Sequence, residues 1–178
     1  MDVMRAVPSA GARFFVANFT SHSATGCDAL TLKKVGKPIS IVFPISVAVA
    51  PAVGSNNPRL FVVHSTTEVA EGIVSVFDAV TLKRIGQPIP LAGFHTQIAI
   101  SADNSLAVVV GQAATALTAL DPVTLKQIAQ PVPMEGNPAE VVAIASDHSR
   151  VFACTATHIS AVEPTQVVDK TSRLATQA

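Results

Sequence analysis

One short pattern recurs along this chain and constrains its fold more than any other feature. The clearest copy is FDAVTLKRIGQPI at 77–89, with CDALTLKKVGKPI at 27–39 and LDPVTLKQIAQPV at 120–132. A degraded fourth copy, VEPTQVV, occupies 162–168. The acidic residues of the copies lie 50, 43 and 42 positions apart, at Asp28, Asp78, Asp121 and Glu163. Repeats of this length are typical of solenoids, propellers and arrays, in which each repeat is one supersecondary unit.

Each repeat divides into four short runs rich in Val and Ile, separated by polar, Gly or Pro clusters. In the third repeat these runs are 97–100, 106–111, 116–120 and 126–132. β-Branched residues bounded by turn-forming residues predict strands rather than helices. The sequence therefore predicts an all-β chain with four strands per repeat. The predicted repeats are approximately 3–43, 44–94, 95–137 and 138–171, followed by a frayed tail at 171–178.

The fourth run of each repeat differs in character from the first. It carries charge and a proline, as in 83–90, and we expect it at the outer edge of its sheet, where a missing backbone donor is tolerated. In the first repeat this strand is predicted over 34–41, after a second strand over 13–18, and in the last repeat it is predicted over 166–169. The first run is apolar on both sides, which predicts a strand enclosed by neighbouring repeats.

The segment IAISADNSLAVV at 98–109, followed by LDPVTLK at 120–126, resembles the YVTN-type repeat of β-propellers, a relative of WD-like and lactonase-like propellers. The resemblance extends over essentially the whole chain and implies a β-propeller of about four four-stranded blades. The second repeat departs from the pattern, with VGSNN at 53–57 in place of the usual Asp-Gly turn. We expect a partial propeller or open fan whose exposed end blades recruit another copy, with a small closed ring as the alternative.

The repeated acids would form an acidic site if they converged. Each instead closes a third strand, so we expect Asp28, Asp78, Asp121 and Glu163 to be structural, accepting hydrogen bonds from backbone N–H groups of the following Thr-containing turn. Asp103 and Asp147, in the first turns of their repeats, have the same interpretation.

Histidines are the other candidates for chemistry. By propeller topology His95 leads into a first strand, whereas His22, His64 and His158 lie at or after second strands. Together with Glu140 they are predicted to line one rim and to form candidate binding residues. They belong to different blades and include no His-x-x-x-His or His-Glu pair, so no metal site and no cofactor is predicted.

Composition disfavours several classes of function. Twelve Lys and Arg balance twelve Asp and Glu, so no long-range field favours nucleic acid. The apolar runs are far shorter than the roughly 20 residues that span a bilayer, which predicts no membrane span. The chain has no Gly-x-Ser-x-Gly elbow and no Gly-rich phosphate loop that opens a helix. Neither Trp nor Tyr is present to stack on a sugar or a base.

Cysteine usage and the N-terminus do not define a compartment. Cys27 and Cys154 lie in different repeats at unlike positions, and we expect two thiols rather than a disulfide or metal pair. The first residues, MDVMRAVP, lack the basic flank and apolar run of a signal peptide. The localisation therefore stays open.

The leading functional hypothesis is a non-catalytic scaffold whose rim loops contact another protein, because a repeat fold displays variable loops on a fixed frame. The first alternative is a fragment of a lactonase-like or other propeller enzyme with a site in its central channel, which rests on the resemblance alone. The second is an extracytoplasmic surface or adhesion propeller, which would require an export signal upstream.

Overall fold

The computed structural model describes residues 5–6, 12–66, 72–93, 96–111, 116–128, 130–133, 141–145, 147, 150–154 and 159–163. These residues are all β, which confirms that part of the sequence prediction, and they form four antiparallel sheets in which chain neighbours pair. Within these ranges there is no helix long and apolar enough to cross a membrane. Sheet 1 contains β1 (Arg5–Ala6), β2 (Arg13–Asn18), β3 (Ser23–Asp28) and β4 (Ile39–Ser40); sheet 2 contains β5 (Pro44–Ala50), β6 (Arg59–Ser65), β7 (Gly72–Asp78) and β8 (Arg84–Pro90); sheet 3 contains β9 (Gln97–Ile100), β10 (Ala107–Val110), β11 (Ala116–Leu120) and β12 (Val132–Pro133); sheet 4 contains β13 (Val141–Ile144), β14 (Val151–Cys154) and β15 (Ile159–Val162).

Two of the predicted fourth strands are interrupted. The strand predicted over 34–41 is reduced to an isolated bridge at Lys34 and the short β4. Between them Gly36 adopts a positive φ of 71°, and Pro38 has no N–H to donate to a sheet. In sheet 3 the fourth strand predicted over 126–132 is shortened in the same way, to β12.

In sheet 2 the fourth strand, β8, is continuous although it contains Gly86 and Pro88. The register of its pairing with β7 shifts between Val74 and Val76, and this irregularity absorbs the local distortion. The fourth strand predicted for the last repeat, 166–169, lies outside the described residues.

The chain divides into two compact units, residues 1–92 and 93–178. Unit 1 contains sheets 1 and 2, and unit 2 contains sheets 3 and 4. The division falls close to the boundary predicted between the second and third repeats, so each unit corresponds to a pair of repeats.

In unit 1 the two sheets pack face to face. We call the face of a sheet that the following sheet covers its front face, and the face that covers the preceding sheet its back face. Strand β5 of sheet 2 contacts β1 and β2 of sheet 1. The resulting core joins Phe15, Ala17 and Ala24 on the front face of sheet 1 to Leu60, Val62 and Phe77 on the back face of sheet 2.

Unit 2 contains the same arrangement. Strand β13 of sheet 4 contacts β9 and β10 of sheet 3, as β5 contacts β1 and β2. The core joins Val108, Val110, Leu117 and Ala119 on the front face of sheet 3 to Val142, Val151, Ala153 and Val162 on the back face of sheet 4. One packing mode between consecutive sheets therefore occurs twice in the chain.

The front face of sheet 1 depends on a close fit between a ring and a glycine. Phe15 and Gly26 are directly opposite each other on β2 and β3, and the Phe15 side chain is fully buried. A Cβ atom at position 26 would lie 2.9 Å from Cε1 of Phe15. The glycine therefore provides the space that the ring occupies against its cross-strand neighbour.

Gly26→Ala should lower the free energy of unfolding by about 1–3 kcal/mol, because the enclosed ring has to shift. The matched control is Gly54→Asn, since Gly54 has a φ of 59° with no atom within 4 Å of an added Cβ, and asparagine tolerates that conformation. Urea unfolding of both variants provides the comparison. Equal stability of Gly26→Ala and the parent chain would contradict the packing described.

Candidate functional site

The most regular local structure in the chain is the turn after the third strand of sheets 1, 2 and 3. We call these segments, 28–33, 78–83 and 121–126, the capped turns. In each, Oδ1 of the leading aspartate accepts hydrogen bonds from the N–H groups two and three residues later. The distances are 3.1 and 2.8 Å from Leu30 and Thr31, 2.9 and 2.7 Å from Val80 and Thr81, and 2.7 and 3.0 Å from Val123 and Thr124.

Backbone hydrogen bonds close each capped turn as well. The aspartate N–H donates to the lysine carbonyl five residues on, and the aspartate carbonyl accepts from the leucine N–H four residues on. The leucine in each turn has a positive φ, between 57° and 60°, which is costly for a non-glycine residue and is held by the surrounding bonds. The leucines are Leu32, Leu82 and Leu125.

Hydrogen bonding lowers the pKa of two of these aspartates. The backbone N–H and the hydroxyl of Thr31 hold the pKa of Asp28 below its usual value, with smaller help from Leu30 and Arg13. Burial raises the pKa of Asp78, but hydrogen bonds from Thr81, Asn57 and Val80 outweigh it, so the net pKa is lowered. Both carboxylates are therefore ionised at neutral pH; Oδ1 of each accepts from its own turn, and Oδ2 of Asp78 also accepts from Asn57.

Glu163 stands at the position of the aspartate in the fourth repeat. It follows β15 directly and is exposed. The residues that would complete its turn, from 164 onwards, lie outside the described residues. The prediction that Glu163 is a structural acid therefore stays a prediction.

An arginine that the sequence analysis did not single out links sheet 1 to the capped turn of sheet 2. Nη1 of Arg13 donates to the carbonyl oxygens of Ala79 and Val80, at 3.0 and 2.9 Å. The signal in the sequence is that Arg59 and Arg150 occupy the same place at the start of the second strand in repeats 2 and 4. The bond can be inferred only once the packing of consecutive sheets is known.

The leucine of the second capped turn contributes to the same contact between sheets. Leu82 is half-buried and packs against the core of unit 1. A Cβ atom at Gly36, on the outer part of sheet 1, would lie 3.0 Å from Cδ1 of Leu82. A groove of about 440 Å³ lies beside this contact, lined by 35–40 of sheet 1 and 80–82 of sheet 2.

The side chain at the tip of each capped turn is aliphatic and faces solvent. The tip residue lies two positions after the aspartate. Leu30 is 91% exposed, and Val80 and Val123 are each 46% exposed. Exposed aliphatic side chains on fixed turns are groups that a partner molecule can bury.

His64 occupies a buried position within β6 rather than an exposed loop. Its Nε2 lies 2.9 Å from the hydroxyl of Ser75, which is itself fully buried. Burial lowers the pKa of His64, with partial opposition from the nearby backbone of Ser65 and Val42, so the ring is neutral at pH 7. Its Nδ1 and the hydroxyl of Ser46 are buried without a hydrogen-bond partner. His64 and Ser75 are thus both buried in sheet 2, where a substrate has no access.

His22 is exposed and stabilises the connection between sheets 1 and 2. Its Nδ1 accepts a hydrogen bond from the N–H of Phe43 at 3.2 Å. Its ring meets the Phe43 ring edge-on, with centroids 4.5 Å apart. Phe19 also packs against Phe43, at a centroid distance of 5.3 Å. His22 thus has local partners that account for its position.

The remaining rim candidates, His95, His158 and Glu140, lie outside the described residues. In the part of the chain that is described, no three His, Cys, Asp or Glu side chains are grouped so as to hold a metal ion. Cys27 and Cys154 are both free thiols.

Comparisons with known proteins bear on the fold. No family model matches the chain, and no curated protein matches it. Among the solved chains that match is one titled Kuenenia stuttgartiensis hydrazine synthase, with a TM-score of 0.75 and 22% sequence identity. The match covers 92% of this chain and 46% of that one, so this chain spans about half the length of its structural neighbour. At that identity the likeness shows a shared fold.

The lowered pKa of Asp78 makes its contribution to stability depend on pH. The carboxylate stabilises the turn at pH values above its unfolded pKa of about 3.8, and the contribution is lost as the pH falls through the lower folded value. The parent chain should therefore be more stable than Asp78→Asn at pH 6, and the difference should shrink below pH 4. Urea midpoints of both proteins across this range measure it. A difference that does not change with pH would contradict the assignment.

The hydrogen bonds of Arg13 should be measurable as well. Arg13→Ala should lower the free energy of unfolding by about 1–3 kcal/mol, since it removes two bonds from a charged donor to backbone carbonyls. Arg13→Lys should recover only part, because an ammonium lacks the planar geometry of the guanidinium. Lys34→Ala, an exposed cation on the same sheet, serves as the control. Equal effects at positions 13 and 34 would contradict the role of Arg13.

Proposed function

We propose that this chain is built from β-propeller blades of the YVTN type, acts as a non-catalytic scaffold and binds another polypeptide through the tips of its capped turns. The propeller assignment is supported by four consecutive antiparallel sheets and by the same face-to-face packing in both units. Blades that are apolar on both faces and joined by short connections are what a radial array requires. A TM-score of 0.75 to a solved chain indicates that another protein has the same fold over most of this chain.

The binding role rests on one observation, the repeated exposure of an aliphatic side chain at an equivalent place in three rigid turns. Leu30, Val80 and Val123 all follow their aspartate by two residues and all face solvent. The carboxylate bonds fix the backbone beneath them, so a partner would lose little entropy in ordering these turns. Each side chain that becomes buried contributes up to about 1.5–3 kcal/mol.

The described polar groups support binding rather than turnover. The carboxylates of Asp28, Asp78 and Asp121 accept hydrogen bonds from their own backbone, and His64 is enclosed. A general acid or base has to reach a substrate proton at hydrogen-bond distance, whereas His64 is buried and Oδ1 of each aspartate is already bonded within its own turn. We therefore place the function in the aliphatic tips and not in the repeated acids.

Site-specific photocrosslinking tests the proposal. A photoreactive amino acid at position 30, 80 or 123 should give an adduct with the same polypeptide in the native source. Position 42 is the control, because Val42 is 48% exposed but lies in the connection between β4 and β5, away from the capped turns.

The triple variant Leu30→Ser, Val80→Ser, Val123→Ser should abolish that adduct without changing the unfolding midpoint by more than a small amount, since none of the three side chains is buried. Adducts of equal yield from position 42, or a polypeptide that still binds the triple variant, would contradict the proposal.

A further inference from the structure

The contact between sheets 1 and 2 has three components that can be sought elsewhere in the chain. Apolar side chains of the two facing sheets form the core. Arg13 of the leading sheet donates to two carbonyl oxygens in the capped turn of the following sheet. Leu82 of that turn packs into the contact. An uncovered sheet that carries the same components would bind the same kind of partner.

Sheet 4 carries the same surface that sheet 1 contributes to this contact, namely an apolar front face and an arginine. On sheet 4 this surface is exposed. Its front face exposes Ile159, which is 75% exposed, and Val141, which is 50% exposed. By strand register, the residues that correspond to Ile159 are Ala24 in sheet 1 and Leu117 in sheet 3, and both are buried. The front face of sheet 4 therefore has the apolar character of a covered face, and none of the described residues covers it.

Sheet 4 also carries an arginine at the position equivalent to Arg13 of sheet 1. Arg150 precedes the first residue of β14, and Arg13 stands at the corresponding place on β2. Arg150 is exposed. It is thus available to donate to a capped turn as Arg13 does.

Sheet 1 carries the same surface that sheet 2 contributes to the contact, namely a back face and a capped turn. On sheet 1 this surface is more exposed than on sheet 2. Leu32 is 70% exposed, whereas its counterpart Leu82 is half-buried. The back-face residues Phe14 and Val16 are half-buried, whereas their counterparts Leu60 and Val62 are fully buried. The tips of the two turns differ in the same direction. Leu30 is 91% exposed, whereas Val80, in the turn whose carbonyl oxygens Arg13 bonds, is 46% exposed.

We propose that sheet 4 of one molecule binds sheet 1 of a second copy, head to tail. Arg150 donates to the carbonyl oxygens of Ala29 and Leu30 of the second copy, and Leu32 packs against sheet 4 beside Ile159. The occupant is a second copy because this chain carries both halves of a contact that it already makes between its own sheets. Equal numbers of acidic and basic residues mean that no net charge opposes association.

A contact of this kind is heterologous, since different surfaces meet. Such contacts either close at a fixed number of copies or continue into a linear array. The inference is independent of the partner proposed for the turn tips: Val80 stays 46% exposed although its carbonyl is bonded, so a tip remains available when its turn is held.

Sedimentation equilibrium of the full chain, from about 1 to 300 μM, tests the association. We expect self-association that Ile159→Asp, Leu32→Asn and Arg150→Ala each weaken by at least about tenfold in Kd. Leu32→Asn is chosen because asparagine tolerates the φ of 57° at this position, so the turn itself is not destabilised. Val42→Asp, at an exposed valine outside both faces, should leave Kd unchanged.

Mixing two defective variants provides a result that misfolding cannot imitate. The Leu32→Asn chain keeps an intact sheet 4, and the Ile159→Asp chain keeps an intact sheet 1. Together they should form a one-to-one pair that neither forms alone and that grows no further. A chain that stays monomeric throughout, an association that these variants do not weaken, or a mixture that fails to pair would each overturn the proposal.

Discussion

Consecutive sheets of this chain stabilise one another because their faces carry apolar side chains that a single sheet would leave exposed to water. In sheet 2, Leu60 and Val62 point to one face and Phe61 and Val63 to the other, and all four are fully buried. A sheet of four short strands with two apolar faces is not stable alone in water. Packing against a neighbouring sheet, seen in both units, therefore supplies burial that a single sheet cannot provide for itself.

The capped turn of sheet 2 helps to fix how that sheet packs on sheet 1. An aspartate that satisfies two N–H groups fixes the turn after the third strand, and the fixed turn places a leucine and two carbonyl oxygens toward the preceding sheet. The leucine adopts a positive φ that a non-glycine residue rarely holds unless its surroundings require it. Side-chain hydrogen bonds thus fix the turn locally, and through Arg13 they also contribute to the contact between sheets.

Local patterns predicted much of the fold, since period-two alternation, β-branched residues and turn clusters act over a few residues. The strands Arg13–Asn18 and Gln97–Ile100 were predicted at their observed bounds. The interruption at Gly36 and the burial of His64 were not, because both depend on which residues face them across strands. Arg13 acts over 66 positions, on Ala79, and no local pattern shows such a bond. The contrast between Leu32 and Leu82 is likewise invisible in the sequence, where the two turns are nearly identical.

A double-mutant cycle measures whether sheets 1 and 2 stabilise each other by packing face to face. Phe15 and Leu60 belong to one buried cluster but to different sheets. The free energies of unfolding of Phe15→Leu, Leu60→Ala and the double variant should show a coupling of about 0.5–3 kcal/mol, as expected for residues in one packed contact. Effects that add to within about 0.3 kcal/mol would mean that the two sheets do not pack on each other, and would contradict the account.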